Sequence, residues 1–350
     1  MKTGTNDISN KDLAKKLLID KTALVFEGGG VLGIGHVGAL ARLQELGGLK
    51  KMEHVVGTSV GSVIATSLAC GATIDYIERE LFDLNLNRFR DGRNWIINFF
   101  RTLCRFGWHK GDQIEAFMGE VLKDLTGNAN ITFAEAYERF GIHLTVTYLS
   151  LKYKKTKYAD YITSPNLELK KAVRWSSTIP LYYKPSRKFK LFGRRNKKKL
   201  DDLIVDGGVT DNYPIHVLRE QMCDPSRIIG FKLYGEDELN EYRPIEEEDS
   251  DEFELPSSVK DYAFTLVDII REQALRYHVH KDDWKLTIKT DIGTYKTTDF
   301  GITDEDKQIL YKAGKDAVDN YLLEIEELLN KEEYPLPCDE DDCSDHNGEE

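Results

Sequence analysis

The chain has 350 residues, of which 41% are hydrophobic, and its formal net charge is −12. This apolar content excludes a disordered protein. Five cysteines are too few for a disulfide scaffold, and they suit a reducing compartment. The net acidity argues against a nucleic-acid-binding protein. The length is sufficient for one large α/β domain or two small ones with a buried core.

The acidic residues are concentrated in two segments. Residues 236–254 have a net charge of −10 and residues 339–350 have −7, so the rest of the chain carries +5. We predict that 236–254 is a surface loop and that 336–350 is an acidic, disordered tail. The bulk of the chain is therefore mildly basic, which the overall charge conceals.

Residues 1–20 are predicted to be a polar leader, because they contain neither an apolar run nor a cleavage site typical of a secretory signal. Residues 55–74 carry no charge, but their glycines, serines and threonines make them only weakly hydrophobic. We interpret them as a buried strand, turn and helix rather than a transmembrane span. The sequence thus predicts a cytoplasmic protein without a signal peptide or a transmembrane helix.

Two short apolar strands, each followed by a helix, come next in the chain. Strands are predicted at Thr22–Phe26 and His54–Gly57, and helices at Gly35–Leu46 and Ser59–Cys70. About 30 residues separate the two strands, a spacing typical of a right-handed βαβ unit with parallel strands.

The remainder of the chain alternates between further helices and strands. Helices are predicted from Asp112 to Gly127, after a capping box of Thr132 and Glu135, from Ser164-Pro165 to about Trp175, and over residues 258–280 and 304–329. Strands are predicted at Ile142–Leu149, Leu203–Val205, Ile228–Leu233 and Leu286–Ile288. This alternation predicts an α/β fold with a largely parallel central sheet.

The second strand runs directly into Gly57-Thr58-Ser59-Val60-Gly61, a G-x-S-x-G pattern between a strand and a helix. A sharp turn at such a junction lifts the serine hydroxyl above the sheet edge, and the flanking glycines avoid steric clashes. The N-terminus of the following helix can then stabilise an oxyanion at the same place. This position favours Ser59 as a nucleophile over the alternative, an ordinary turn of small residues.

A glycine-rich loop, Gly28–Gly33, links the first strand to the first helix and also fits the dinucleotide-binding pattern G-x-G-x-x-G. Nucleotide binding requires an acidic residue at the end of the second strand, whereas Glu53 precedes that strand. Because the loop and the serine turn follow neighbouring parallel strands, we favour an oxyanion hole beside Ser59. The candidate glycines of this hole are Gly28, Gly29, Gly30 and Gly33.

A nucleophilic serine needs a base, and Asp206 ends a third strand in Val205-Asp206-Gly207-Gly208, as the other two motifs end theirs. The two glycines let the backbone approach closely, so that a partly desolvated Asp206 with a raised pKa can contact Ser59. Ser59, Asp206 and then His216 or His278 would follow the chain order of an α/β-hydrolase triad. That fold, however, places several strands before its nucleophile, whereas few strands precede Ser59 here. In isolation, Asp-Gly-Gly also fits a turn closed by an Asx hydrogen bond.

Together, the GGGxxG loop, the GTSVG turn and the distal DGG resemble the patatin-like phospholipase family. The segments Val173–Leu181 and Asn212-Tyr213-Pro214 also resemble it, and the match spans about residues 22–235. The resemblance implies a three-layer α/β/α sandwich and metal-independent hydrolysis of acyl esters in lipids. It makes Ser59 the nucleophile and Asp206 the general base of a Ser-Asp dyad.

The resemblance also predicts one catalytic domain at residues 21–335, whose C-terminal part at 256–335 is helical, and it implies no cofactor. The eight histidines contain no H-E-x-x-H pattern, so no metal site is expected. One departure from the family is Leu32, where Lys or Arg is common and would support anionic intermediates or headgroups. The alternatives are a nucleotide-binding oxidoreductase that uses Gly28–Gly33 and a catalytically inactive, lipid-binding homologue.

Two basic segments suggest contact with a membrane. Between Arg88 and Lys110, arginines alternate with tryptophan and phenylalanine as in an interfacial helix, although such a segment can equally cover the core. Residues 187–199 contain 8 basic residues and Lys152–Lys157 adds more, but such runs are usually solvated loops. The predicted partners are a phospholipid or other acyl-ester lipid and a membrane surface contacted peripherally, without nucleic acid; an activating protein partner is left open.

Overall fold

The computed structural model describes residues 9–92, 98, 101–102, 104–192, 197–222, 224–235 and 259–337. The predicted acidic loop at 236–254, the tail beyond residue 337 and parts of the basic segments 88–110 and 187–199 lie outside the described residues. Helices and strands are numbered below in chain order.

The described residues form a mixed eight-stranded sheet and a separate two-stranded sheet. The strands are β1 (Ala23–Phe26), β2 (His54–Thr58), β3 (Gly107–His109), β4 (His143–Ser150), β5 (Lys155–Ala159), β6 (Leu181–Tyr183), β7 (Ser186–Phe192), β8 (Lys197–Asp206), β9 (Ile228–Tyr234) and β10 (Thr287–Asp291). The large sheet has the order β10-β9-β1-β2-β4-β8-β7, and β5 also pairs with β4. Its strands from β10 to β4 are parallel, whereas β5, β8 and β7 pair antiparallel.

Helices cover both faces of this sheet. They are α1 (Asn10–Ile19), α2 (Ile34–Leu46), α3 (Val60–Ala69), α4 (Ile74–Asp83), α5 (Asp112–Thr126), α6 (Phe133–Phe140), α7 (Leu169–Ser176), α8 (Ile215–Gln221), α9 (Val259–His278) and α10 (Asp304–Asn330). Alternate residues of β1 face different cores: Leu24 and Phe26 pack in the larger one with α2 and α10, and Ala23 and Val25 in the smaller one with α8. The predicted α/β/α sandwich is therefore confirmed, with a sheet that is parallel at its centre.

Residues 10–19, within the segment predicted to be a polar leader, form helix α1. Ser9 caps the helix by accepting a hydrogen bond from the Asp12 N–H, and Ala14, Leu17 and Leu18 are buried. These apolar residues recur at helical spacing, and that spacing allows one face to pack against α10 although most residues of the segment are polar.

The helix predicted to begin at Ser164-Pro165 begins instead at Leu169. The Ser164 N–H donates to the Asp160 carbonyl (3.0 Å), which turns the chain back after β5, and Glu168 pairs with Thr132 in an isolated bridge. A serine before a proline suits a turn as well as a helix start, and here the turn forms. The predicted strand at Leu203–Val205 is the end of the longer β8.

Among the described residues, no helix combines the length and the apolar character needed to cross a membrane.

Helices α2 and α10 approach each other closely at two glycines. A methyl group on Gly38 would lie 1.9 Å from the Tyr311 carbonyl oxygen, and one on Gly314 would lie 1.9 Å from the Gly35 carbonyl oxygen. In both cases the obstacle is backbone, which cannot yield unless the helices separate. Since α2 follows the glycine loop directly, this contact fixes the helix that supports the loop.

We expect Gly38→Ala and Gly314→Ala each to lower the free energy of unfolding by about 2–4 kcal/mol, because the methyl group must displace a carbonyl of the other helix. Gly301→Ala is the matched control, since a methyl group there meets no atom within 4 Å. Urea denaturation of the three variants measures the difference. Equal stabilities would contradict the close approach of α2 and α10.

Candidate active site

Ser59 occupies the turn between β2 and α3 in a strained backbone conformation. Its φ is 52° and its ψ is −123°, a combination that residues other than glycine rarely adopt. The turn is tight, because a methyl group on Gly57 would lie 2.3 Å from the Gly61 carbonyl oxygen and one on Gly61 would lie 2.4 Å from the Phe26 carbonyl oxygen. Both glycines of the G-x-S-x-G pattern are thus needed to hold Ser59 at the start of α3.

The parallel pairing of β1 with β2 brings the glycine loop to Ser59. Phe26 pairs with Gly57, so the residues that follow β1 run beside those that follow the glycine. A methyl group on Gly28 would lie only 3.0 Å from the Ser59 Cβ and 2.5 Å from the Asn212 Oδ1. The loop predicted from sequence and the predicted nucleophile are therefore adjacent in the structure.

The other loop glycines are also in tight positions. A methyl group on Gly29 would lie 2.3 Å from the Leu233 Cδ1, and one on Gly30 would lie 2.0 Å from the Thr297 carbonyl oxygen. A methyl group on Gly33 would lie 2.6 Å from the Val60 Cγ2. Gly30 also has a φ of 55°, which favours glycine.

The backbone N–H groups of the loop differ in their partners. The Gly28 N–H donates to the Asn212 carbonyl (3.1 Å), whereas none of the described hydrogen bonds uses the N–H of Gly29 or Gly30. Leu32 is buried in the larger core, so its side chain contributes packing.

Asp206 reaches the same place from an antiparallel strand, whereas the first two motifs follow parallel ones. Across β2 and β4, Thr58 pairs with Thr147, and across β4 and β8, Tyr148 pairs with Asp206. Asp206 therefore lies at the level of Ser59 on the sheet. A methyl group on Gly207 would lie 2.7 Å from the Thr147 Cγ2, so this glycine lets the chain pass closely over β4.

Burial dominates the electrostatics of Asp206. Burial raises its pKa from 3.8 to about 6, while hydrogen bonds with the Gly208 N–H and the Ser59 side chain and the charge of Arg271 oppose this increase. The Gly208 N–H lies 2.8 Å from the Asp206 Oδ1, which is the Asx turn that the sequence suggested. The Arg271 Nε donates to the Gly208 carbonyl (3.2 Å) and so connects α9 to this turn. A carboxylate with this pKa is a stronger base than an exposed aspartate.

Asn212 connects the aspartate turn to the glycine loop. Its carbonyl accepts from the Gly28 N–H, and its Nδ2 donates to the Gly28 carbonyl (3.0 Å) and to the Glu27 Oε1 (3.1 Å). Glu27 is buried and forms an ion pair with Lys232 (3.2 Å), and its Oε2 accepts from the Leu233 N–H (2.8 Å). The start of the glycine loop is thus held by a buried polar network.

The two histidines that could have completed a triad lie in another cluster. The His216 Nε2 is 3.2 Å from the Tyr158 hydroxyl and 3.8 Å from the Asp211 Oδ2, and its ring stacks on His278. None of the described hydrogen bonds joins either histidine to Ser59, so the α/β-hydrolase triad is not formed. Within the described part of the chain, no group of three metal-ligating side chains could hold a metal ion.

An apolar pocket opens at Ser59. Besides Ser59, Gly30 and Ser177, its wall consists of aliphatic and aromatic side chains. They are Val31, Ile34, Val60, Val63, Leu81, Leu84, Leu86, Phe89, Ile114, Phe117, Ile179, Tyr183 and Phe300. A pocket with this lining accommodates a hydrocarbon chain and excludes water from the serine.

Sequence reasoning missed the side chains that support the site. The Ser59 N–H donates to the Ser176 Oγ (2.8 Å), and Glu27 pairs with Lys232 beneath the loop. Ser176 lies in the segment Val173–Leu181, whose role the pattern did not define. Lys232 did carry a signal, because a lysine inside the apolar strand Ile228–Tyr234 requires a buried partner.

Comparison with known proteins identifies similar chains. Residues 24–219 match the sequence model of the family "Patatin-like phospholipase". The chain is 29% identical over 217 residues to "Triacylglycerol lipase 4" of Saccharomyces cerevisiae, an alignment that covers 58% of this chain and 23% of that protein. It is 28% identical over 200 residues to an uncharacterised protein of Acanthamoeba polyphaga mimivirus, covering 57% and 62% of the two chains. The chain thus spans less than two thirds of either relative.

Another relative matches over most of its length. The uncharacterised protein YqhO of Bacillus subtilis is 26% identical over 327 residues, which cover 85% of this chain and 97% of that protein. Among solved structures, VipD from Legionella pneumophila is similar with a TM-score of 0.54 and 17% identity, over 87% of this chain and 67% of that one. This last similarity concerns the fold.

We expect Asp206→Asn to stabilise the protein at neutral pH. The carboxyl group has a pKa of about 6 in the folded protein and about 3.8 when unfolded, so the wild-type chain loses stability as the pH rises from 4 to 6. The neutral amide avoids this loss, which amounts to at most about 3 kcal/mol. Thermal unfolding of both proteins at several pH values measures it. A stability difference that stays constant from pH 4 to pH 8 would contradict the raised pKa.

Proposed function

This chain belongs to the patatin-like phospholipase family, and on that premise we propose that it is a serine acyl hydrolase that cleaves fatty-acyl esters of lipids. The observation that carries the proposal is the position of Ser59, strained, beside Asp206 and at the mouth of an apolar pocket. Related chains include proteins named triacylglycerol lipases, which supports a lipid ester as the substrate.

In the proposed first step, the Ser59 hydroxyl attacks the ester carbonyl and transfers its proton to Asp206. The raised pKa of Asp206 supports this role, because a carboxylate with an ordinary pKa near 4 is a poor acceptor for a hydroxyl proton. The alcohol part of the lipid leaves with that proton, and the acyl group stays on Ser59. In the second step Asp206 takes a proton from water, and the water oxygen attacks the acyl carbon. The bond between that carbon and the Ser59 oxygen then breaks, Asp206 returns the proton to this oxygen, and the fatty acid is released.

The oxyanion of both steps is proposed to bind the glycine loop. Gly29 and Gly30 are the favoured donors, since the described hydrogen bonds leave their N–H groups available while the Gly28 N–H is bonded to Asn212. Gly28 and Gly33 then act through the close packing that their lack of a side chain allows. The Gly30 N–H also begins a short 3₁₀-helix, where N–H groups have no partner within the helix.

The acyl chain is proposed to occupy the apolar pocket. The pocket extends from Ser59 to Phe89, Phe117 and Phe300, so a hydrocarbon chain attached to the reacting carbonyl is surrounded by apolar side chains. Burial of each methylene group stabilises the bound substrate by roughly 0.8 kcal/mol. This arrangement favours long acyl chains, and a peripheral contact with a membrane would supply them.

The nucleotide-binding alternative is disfavoured by the position of its acidic residue. Glu53 precedes β2 and pairs with Lys51 (2.7 Å) and Arg227 (2.7 Å). It therefore lies at the amino end of the strand, whereas the glycine loop lies at the carboxyl end of the neighbouring β1. Glu53 cannot reach a ribose whose phosphates occupy the loop.

We expect Ser59→Ala and Asp206→Asn each to lower kcat/KM for a long-chain lipid ester by at least about 10³-fold, because each removes a group that takes part in bond making or proton transfer. Ser67→Ala is the control, since the Ser67 hydroxyl bonds to the Val63 carbonyl within α3. Release of fatty acid from a phospholipid and a triacylglycerol measures activity, and a fluorophosphonate probe reports on Ser59. An unlabelled wild-type protein, or a fully active Ser59→Ala variant, would refute the assignment, and an inactive wild-type protein would favour the lipid-binding homologue.

We also expect kcat/KM to increase with pH and to level off above a midpoint near pH 6, because Asp206 must be deprotonated to accept the serine proton. A water-soluble short-chain ester is the substrate of choice, since its charge and aggregation do not change over this range. A rate that is independent of pH between 5 and 7 would argue against Asp206 as the base.

A further inference from the structure

Three exposed apolar side chains lie on the small sheet formed by β3 and β6 or directly before it. Phe106 is 53% exposed, Trp108 36% and Leu181 42%. Gly107 pairs with Leu181, so the segment that carries Phe106 and Trp108 runs directly beside the strand that carries this leucine. We call these three side chains the apolar tip. Large apolar side chains exposed together on a protein surface mark a contact with another apolar partner.

Two of the three residues are in a strained conformation. Phe106 has a φ of 64° and Leu181 a φ of 63°, a region where bulky residues are outliers. Asparagine or glycine would adopt this conformation more easily and would expose less apolar surface to water. Folding stability therefore does not explain a phenylalanine and a leucine at these positions, which points to a function for their side chains.

The apolar tip is attached to a well-supported backbone. A methyl group on Gly107 would lie 2.1 Å from the Lys184 nitrogen, so β3 and the end of β6 are in direct contact. The Lys184 N–H donates to the His109 carbonyl (2.8 Å), and the Arg101 guanidinium donates to the Trp108 carbonyl (2.7 Å). The three side chains are thus presented on a fixed scaffold.

The strand that carries Leu181 also contributes to the apolar pocket. Ser177 and Ile179, which precede β6, and Tyr183, which ends it, line the pocket that opens at Ser59. Side chains two residues apart on a strand point to the same side, so Leu181 lies on the side of β6 that carries Tyr183, with Leu181 exposed and Tyr183 buried. Leu181 therefore lies close to the rim of the pocket.

The charges around the tip are basic. Arg101, Arg105 and Lys110 lie within the same short segment, and Arg105 and Lys110 are exposed. The nearby Asp91 carboxylate accepts from the N–H groups of Lys110, Gly111 and Asp112 (2.7–2.8 Å), so its charge is stabilised by the backbone at the start of α5. Exposed apolar side chains beside these cations complement a surface that has anionic headgroups above hydrocarbon chains.

We propose that Phe106, Trp108 and Leu181 insert into an anionic lipid surface and place the pocket at Ser59 against it. This inference rests on the proposed function for its purpose, since a lipid hydrolase needs access to chains in a bilayer. It differs from the interpretation of the basic segment as an interfacial helix, because the inserting residues lie in two short strands or directly before one of them. Leu181, from a distant part of the sequence, is one of them.

The test measures binding to vesicles made of dialkyl ether phospholipids, which an ester hydrolase cannot cleave. The variant is Phe106→Asn with Leu181→Asn, because asparagine tolerates a positive φ and relieves the strain. We expect wild-type protein to bind phosphatidylcholine vesicles more strongly when phosphatidylserine is added, and the double variant to bind at least tenfold more weakly. Its melting temperature should be equal or higher, which a merely structural role of these residues would not produce.

Ile162→Asn is the matched control, since Ile162 is 65% exposed in the turn after β5, at the opposite end of β4 from Ser59. This control should bind like the wild type. Quenching of tryptophan fluorescence by brominated acyl chains gives an independent measurement, and Trp108→Phe should reduce it. The proposal would be overturned if the wild-type protein bound neither vesicle, if the double variant bound normally, or if Ile162→Asn lost binding to the same extent. Either of the first two outcomes would favour a soluble protein partner for the tip.

The two proposals fail separately. If the double variant cleaves a soluble short-chain ester normally but loses vesicle binding, the tip is a lipid contact outside the catalytic centre. If Ser59→Ala keeps full activity while the double variant still loses binding, the catalytic assignment fails and the lipid contact stands. If Ser59→Ala is inactive and the double variant binds normally, the catalytic assignment stands and the lipid contact fails.

Discussion

The register of four neighbouring strands determines the geometry of the whole site. Phe26 of β1 pairs with Gly57 of β2, and Thr58 of β2 pairs with Thr147 of β4. These two pairings place the glycine loop and Ser59 side by side, and the pairing of Tyr148 with Asp206 adds the carboxylate at the same level. A slip of one residue in any of these pairings would move a side chain by about 3.3 Å and separate the groups.

The site contains several features that destabilise the folded chain, and the surrounding network holds them in place. Ser59 has a strained backbone, and a buried Asp206 resists ionisation. Asn212 belongs to this network, because it follows the aspartate turn and bonds to the backbone N–H and carbonyl groups of Gly28. The glycine loop cannot move away from the aspartate turn without breaking these bonds. Contacts made far along the chain thus hold the loop beside the strained Ser59.

Much of the fold was predictable because it depends on local patterns. Apolar runs that end in glycines located β1 and β2, and the capping box at Thr132 located α6. The predicted start of α7 was wrong because Ser164-Pro165 suits both a turn and a helix start. The hydrogen bond from the Ser164 N–H to the Asp160 carbonyl shows that the turn forms. The polar composition of residues 10–19 hid a helix whose buried face consists of few residues. Local sequence does not contain the distant partners that settle such cases.

The candidate site follows the same division. Ser59, Asp206 and the loop glycines stand out in the sequence because their chemistry requires a glycine-flanked turn after a strand. The direction of β8 depends on its pairing with β4. The contacts of Ser176 and Asn212 join segments more than 100 residues apart, as with the separation of 117 residues between Ser59 and Ser176. Leu181 likewise joins Phe106 only through the pairing of β6 with β3. Such contacts are set by the tertiary structure and leave no periodic signal.

The buried ion pair of Glu27 and Lys232 balances the negative charge of a carboxylate that lies next to the glycine loop. Glu27 directly precedes Gly28, and an uncompensated carboxylate there would repel an oxyanion formed against the loop. Lys232 lies 3.2 Å from the Glu27 Oε1 and neutralises that charge, while the Asn212 Nδ2 and the Leu233 N–H also donate to this carboxylate. The cation that the family often carries at position 32 is replaced here by a buried leucine. A buried lysine thus balances the carboxylate next to the loop, as the proposed oxyanion requires, although position 32 of the loop carries no cationic side chain.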